Sequence, residues 1–175
     1  ATLHMLEGET ALAEQSWQAA VRHGGGARAR RNYASYLMRE RRFADACVQL
    51  RAASTDLKYE ARAQVFQELG RCERETGDTK AAFAAYGRAI ELNAQQPEAQ
   101  LALAELLYDQ GVYPQALAAY QAFRSHAPQT AKSLWFGITL ARAMHDDDAE
   151  ASHALMLRNQ FPNSPEYKKY QESRP

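Results

Sequence analysis

The chain has 175 residues, of which 46% are hydrophobic and 24% charged, an ordinary globular composition that excludes a disordered chain. Lysine plus arginine equals aspartate plus glutamate at 21 each, so no net field draws it to nucleic acid or to a membrane surface. Its apolar runs fall far short of the roughly 20 residues that span a bilayer, and ATLHMLEGE carries neither the basic nor the apolar stretch of a secretory leader.

In chain order, Gly8, Ala13, Trp17 and Ala20 fit the turn and second helix of a helix-turn-helix repeat, a partial unit over 1–26. The chain is thus expected to open inside a repeat. Gly24-Gly25-Gly26 lacks the strand-loop-helix context of a phosphate cradle and reads as a connector, and Arg28 to Arg31 reads as a solvated face. A copy follows over 27–60: Tyr33 and Ala34, Leu37, Phe43, Ala46, Leu50 and Ala53. The next, over 63–96, is the clearest, with Phe66, Leu69, Gly70, Gly77, Ala82, Tyr86 and Ala89 on the places of the 34-residue tetratricopeptide pattern. Only Glu73, at a Tyr place, and Ala94, at a Pro place, depart from it. Between these two copies the connector around Lys58 to Glu60 holds two extra residues. Stepping 34 further lands on Leu103, Ala104, Leu107, Gly111, Ala116, Tyr120 and Pro128, a copy over 97–129. A weaker copy over 130–162 has Phe136, Gly137, Leu140, Ala149 and Met156, and residues 163–175 read as a tail.

This pattern predicts an all-α fold, a single tetratricopeptide-repeat superhelix of antiparallel helix pairs. Small residues at the Gly and Ala places let paired helices approach, while aromatics fill the gap between successive pairs. First helices then line a concave wall, where such arrays hold a peptide or a partner helix. Trp17, Trp135 and the tyrosines recur at repeat places and are read as core.

No nucleophile stands with a base, so no enzyme is expected. His145-Asp146-Asp147-Asp148 with His153 has metal-ligand residue types, but it falls on a turn and the start of a helix, where acidic residues suit the N-terminus. No metal or cofactor is expected.

The closing segment goes beyond a generic repeat. Ser133, Leu134, Gly137, Ile138, Ala141, Asp146, Asp148, Ala151, Ser152, Leu155, Leu157, Phe161, Pro162, Ser164, Glu166 and Tyr167 fall on the form S-L-x-x-G-I-x-x-A…D-x-D-x-A-x-S…L-x-L…F/Y-P-x-S-x-E-Y. That form resembles the end of the type IV pilus pilotins of the PilF/PilW family, and the likeness extends over about Asn32 to Tyr170. The resemblance implies a lipoprotein on the periplasmic side of a Gram-negative outer membrane that assists assembly of the pilus secretin, its protein partner. It also implies a lipidated cysteine and about one further repeat ahead of Ala1, so that any membrane contact runs through an anchor outside this chain. A tetratricopeptide adaptor with an unrelated protein partner is the alternative.

Places 2, 5, 9 and 12 of each first helix are expected on the concave wall: Arg28, Arg31, Ser35 and Met38; Gln64, Gln67, Arg71 and Arg74; Glu98, Leu101, Glu105 and Tyr108; Ala131, Leu134, Ile138 and Ala141. The partner-binding candidates among them are Arg31, Met38, Gln67, Arg71, Arg74, Leu101, Glu105 and Tyr108. A clamp for a terminal carboxylate needs paired cations and Asn side chains on successive first helices, and Asn32 is the only such Asn before Ala127. Cys47 and Cys72 lie equally far from the connector at Lys58 to Glu60, hence at one level on antiparallel neighbours. Two buried free thiols would suit a reducing compartment, whereas the oxidising periplasm implied by the resemblance favours a disulfide between them.

Overall fold

The computed structural model describes residues 2–173, with side chains described from Leu12 onward, and among these residues only helices and their connectors occur. Among the described residues no helix is long and apolar enough to cross a membrane. The chain divides into two compact units, residues 1–94 and 95–175.

The first unit holds α1 (Thr2–Arg22), α2 (Gly26–Arg39), α3 (Phe43–Ser54), α4 (Arg62–Glu75) and α5 (Thr79–Leu92). The backbone is helical through Gly8, where the repeat spacing predicts a turn. A lone glycine costs a helix only about 1 kcal/mol, which strong formers such as Ala11, Leu12, Ala13 and Glu14 outweigh. The core of this unit is built from Tyr33, Leu37, Leu50, Val65 and Leu69 with Ala34, Ala46 and Ala53, and Trp17 packs against it. Glu14 ties α1 to the next pair, accepting from the Tyr33 hydroxyl at 2.7 Å and from Arg42 Nη1 at 2.7 Å.

Glu73 occupies the place that Leu37, Leu107 and Leu140 fill in the other copies. It is as buried as they are, 2% exposed, and Arg51 of α3 compensates its charge, donating from Nε to Oε1 at 2.9 Å. One turn away on the same two helices, Cys47 and Cys72 have their Cα atoms 5.7 Å apart and their sulfurs at bonding distance. That separation is ordinary for a disulfide.

The second unit holds α6 (Pro97–Asp109), α7 (Tyr113–His126), α8 (Ala131–Ala143), α9 (Asp147–Gln160) and α10 (Pro165–Glu172). Residues 163–175, expected as a tail, contain this last helix. Ser164 caps it, accepting from the Tyr167 amide at 3.1 Å, Pro165 pre-sets its first turn, and Tyr170 is buried against α8 and α9. Its docking also corrects the expected wall: Leu134, Ile138 and Ala141 are buried, the first two in one cluster with Ala154, Leu157 and Tyr170. An apolar face of that size gains more from a covering helix than from water.

His153 occupies the place of Leu50, Tyr86 and Tyr120 in the other pairs. It is 8% exposed and its ring lies 5.7 Å from that of Tyr120. Nδ1 donates to the Ala149 carbonyl at 2.6 Å, and burial pushes its pKa down, so the ring is neutral at pH 7. It fills the core in place of an aromatic ring. Among the described residues no three His, Cys, Asp or Glu side chains gather as a metal set. Asp146 caps α9 instead, accepting from the Ala149 amide at 2.9 Å, with Asp147 and Asp148 in the first turn.

Each helix pair turns through one residue with positive φ: Arg41 (59°), Gly77 (84°), Gly111 (74°) and His145 (56°). The amide just after it bonds back five residues, as in Asp78 to Glu73 O (2.9 Å) and Asp146 to Ala141 O (3.0 Å). This is the Schellman ending of a helix, which glycine adopts without steric cost. Arg41 and His145 hold the same shape against a Cβ clash. Replacing the exposed His145 by glycine should therefore raise the unfolding free energy by about 0.5–1 kcal/mol, read by denaturant melts. An unchanged or lower midpoint would show that the side chain supplies something the backbone does not need.

Candidate protein-binding face

Within each unit side chains bridge the two first helices, α2 to α4 and α6 to α8. In the first unit the link is Arg31 of α2, which donates from Nε to Glu68 Oε1 of α4 at 2.9 Å and from Nη2 to the same oxygen at 2.5 Å. Those hydrogen bonds to Glu68, more than the nearby Tyr59, hold the guanidinium above its ordinary pKa. Ser35 donates to the Arg31 carbonyl at 3.1 Å, and Met38 lies half-buried against the core. Along α4, Gln64, Gln67, Arg71 and Arg74 follow one another at spacings of three and four, one stripe of the helix. Arg71 is exposed, whereas Gln67 and Arg74 are half-buried. Glu68 is not among the expected wall residues, although it adjoins Gln67; a carboxylate one place off the stripe reads as solvated until its partner is known.

In the second unit Lys132 Nζ of α8 pairs with Glu105 Oε1 of α6 at 3.0 Å. Tyr108 packs edge-on against Phe136, ring centroids 5.8 Å apart, and lies 5.5 Å from Tyr113. Glu105, Tyr108, Asp109, Lys132, Trp135, Phe136 and Thr139 line a shallow cleft of about 260 Å³. Leu101 packs instead against the core. Of the eight candidates, the structure thus groups Arg31 and Met38 on α2, Gln67, Arg71 and Arg74 on α4, and Glu105 and Tyr108 at one cleft. Lys132, Trp135, Phe136 and Asp109 escape the sequence reading. The repeat pattern marks Trp135 as core, and it gives the others no mark as wall residues.

The arrangement offers aromatic faces and paired charges, chemistry that suits contact with a polypeptide. A family model described as TPR repeat matches residues 70–111. Type IV pilus assembly protein PilF of Pseudomonas aeruginosa is 33% identical over 172 residues, which is 98% of this chain and 68% of that protein. A solved structure of Pseudomonas aeruginosa PilF superposes with a TM-score of 0.85 at 32% identity, covering 97% of this chain and 77% of the other. PilW, a widely conserved type IV pilus biogenesis factor, superposes with a TM-score of 0.79 at 24% identity, covering 91% and 74%. The peptide-binding tetratricopeptide protein YrrB, at 16% identity and a TM-score of 0.76 over 98% of this chain and 88% of its own, shares the fold. With a third of its residues shared over nearly its whole length, this all-α tetratricopeptide-repeat chain belongs to the PilF family of type IV pilus assembly proteins.

Proposed function

We propose that the chain is a non-catalytic scaffold of type IV pilus biogenesis, which holds a segment of the outer-membrane secretin on its first-helix faces while the ring assembles. It works on the periplasmic side of the outer membrane, tethered through a lipid anchor. The observation that carries this reading is the 33% identity to PilF over 98% of the chain. Two first-helix faces made of ion pairs, exposed arginine and half-buried aromatics support it, because protein interfaces favour Arg, Tyr and Trp.

Deleting the gene in its host is expected to leave secretin monomers and no surface pili while growth continues. Heat-stable secretin multimer at the normal level in the deletion strain would overturn the role. Pull-down of the full-length protein from solubilised envelope then separates the secretin from an unrelated partner.

Binding should be lost at the faces and not through instability. Arg71→Glu is expected to weaken secretin binding by about tenfold or more, since it reverses a charge at an interface, and Tyr108→Ala likewise removes an aromatic anchor. The exposed Arg71 should shift stability by under about 0.5 kcal/mol. Full binding by both variants, with loss caused by second-helix changes instead, would move the site elsewhere.

A further inference from the structure

Three of the four first helices carry a basic residue in the last turn, Arg39 of α2, Arg74 of α4 and Arg142 of α8. A cation there suits the negative end of a helix. The fourth, α6, has no basic residue in its last turn and ends on Asp109, which adds a negative charge where the helix already presents one. Asp109 is exposed and forms no ion pair among the described residues. It stands at the α6–α8 cleft of about 260 Å³, which is also lined by the rings of Tyr108, Trp135 and Phe136. Tyr108 and Trp135 are half-buried, so part of each ring is open to a ligand. Lys132, the cation among the lining residues, is neutralised by Glu105 at 3.0 Å. With that pair cancelled, the cleft keeps the negative charge of Asp109 beside aromatic faces. Trp135 already attracts a guanidinium of the protein's own: Arg142 Cζ, from outside the cleft, lies 6.0 Å from its ring centroid.

We infer that the α6–α8 cleft takes an arginine side chain from a basic segment of a protein partner, its alkyl stem and guanidinium plane against Tyr108 and Trp135 and its charge at Asp109 and the end of α6. Arginine meets each demand of the cleft at once: an apolar stem for the rings, a planar cation for their electron-rich faces, and paired N–H donors for a carboxylate. An apolar side chain would cover the rings but would strip water from Asp109 and replace it with nothing. An acidic side chain would find the cleft's ammonium already engaged by Glu105 and Asp109 opposed to it. The inference names the partner chemistry of the second-unit face proposed above and rests on that reading.

The test is fluorescence anisotropy on the full chain, at physiological salt where distant charges are screened, with three short fluorescein-labelled peptides. One alternates Ser and Arg, one has citrulline, the uncharged isostere, for Arg, and one has Asp for Arg. The Arg peptide is expected to bind, with the citrulline and Asp peptides each weaker by about tenfold or more. Asp109→Asn should bring the Arg peptide down to the citrulline level while leaving the melting midpoint where it was, because the side chain is exposed. Trp135→Leu should weaken the Arg peptide severalfold by removing the ring face. The Asp147→Asn, Asp148→Asn double variant, which alters an exposed acidic pair at the start of α9, should bind the Arg peptide as the parent does. Equal binding of the Arg and citrulline peptides, preference for Asp, indifference to Asp109→Asn, an equal drop in the α9 variant, or binding by none of the three overturns the inference. If the full-length protein captures secretin from solubilised envelope yet fails these peptide tests, the reading above stands and this inference falls. If the peptide preference and its dependence on Asp109 hold while no secretin is captured, the cleft's basic ligand stands and the secretin is not its source.

Discussion

Reduction of the native protein is expected to lower the unfolding free energy of the first unit by about 3 kcal/mol, because a bond between Cys47 and Cys72 closes a loop of 25 residues' separation. The two cysteines face each other from α3 and α4 with a Cα separation of 5.7 Å and are 2% and 0% exposed, so the bond crosses the packed interface between one helix pair and the next. Such a link matters more in a repeat array than in a globular domain, since each pair is held only by its neighbours. Arg51 and Glu73 make a polar link one turn away, but it is partly open to water, with the Arg51 side chain 56% exposed, and contributes less. Denaturant melts with and without reductant should show the drop. The Cys47→Ala, Cys72→Ala variant should start from the lower midpoint and ignore the reductant. Two free thiols per chain in denatured, unreduced protein would refute the bond.

Two glycine-to-alanine changes should move stability in opposite directions. At Gly137 an added Cβ would lie 2.6 Å from both His153 Cδ2 and the Tyr120 hydroxyl, closer than packed atoms approach. Neither neighbour yields freely: His153 is held by its bond to Ala149, and the Tyr120 hydroxyl, with one proton to donate, sits 2.8 Å from the Ser133 carbonyl and 2.9 Å from Gln129 Oε1. Gly137→Ala should therefore cost about 1–3 kcal/mol by overpacking, with loss of the hydrogen bond donated by the Tyr120 hydroxyl adding to it. Gly87 lies mid-helix in α5, and a Cβ added there would have nothing within 4 Å, so Gly87→Ala should gain about 0.5–1 kcal/mol from helix propensity alone. Urea melts of the two variants beside the parent check both signs. A Gly137→Ala protein as stable as the parent would mean that α8 and α9 can separate freely, contrary to the close approach seen between them.

The helix pairs were legible in the sequence because their signals are local or strictly periodic. Gly77 and Gly111 mark turns, Ala46, Ala82 and Ala116 mark close approaches, and antiparallel neighbours around a short connector bring Cys47 level with Cys72 whatever else the chain does. Where a residue of the wrong chemistry filled a repeat place, the pattern fell silent. Arg41 and His145 turn the chain as glycines do, Glu73 stands in a leucine place because Arg51 neutralises it, and His153 stands in an aromatic place beside Tyr120. The candidate face was legible only as stripes along single helices, since spacings of three and four determine which side chains share a side. That Arg31 meets Glu68, that Lys132 meets Glu105, and that α10 covers Leu134 and Ile138 depended on contacts between helices distant in sequence. Such contacts are decided by which pairings bury the most apolar surface and satisfy the most charge at once, a property of the packed units that no spacing along the chain encodes.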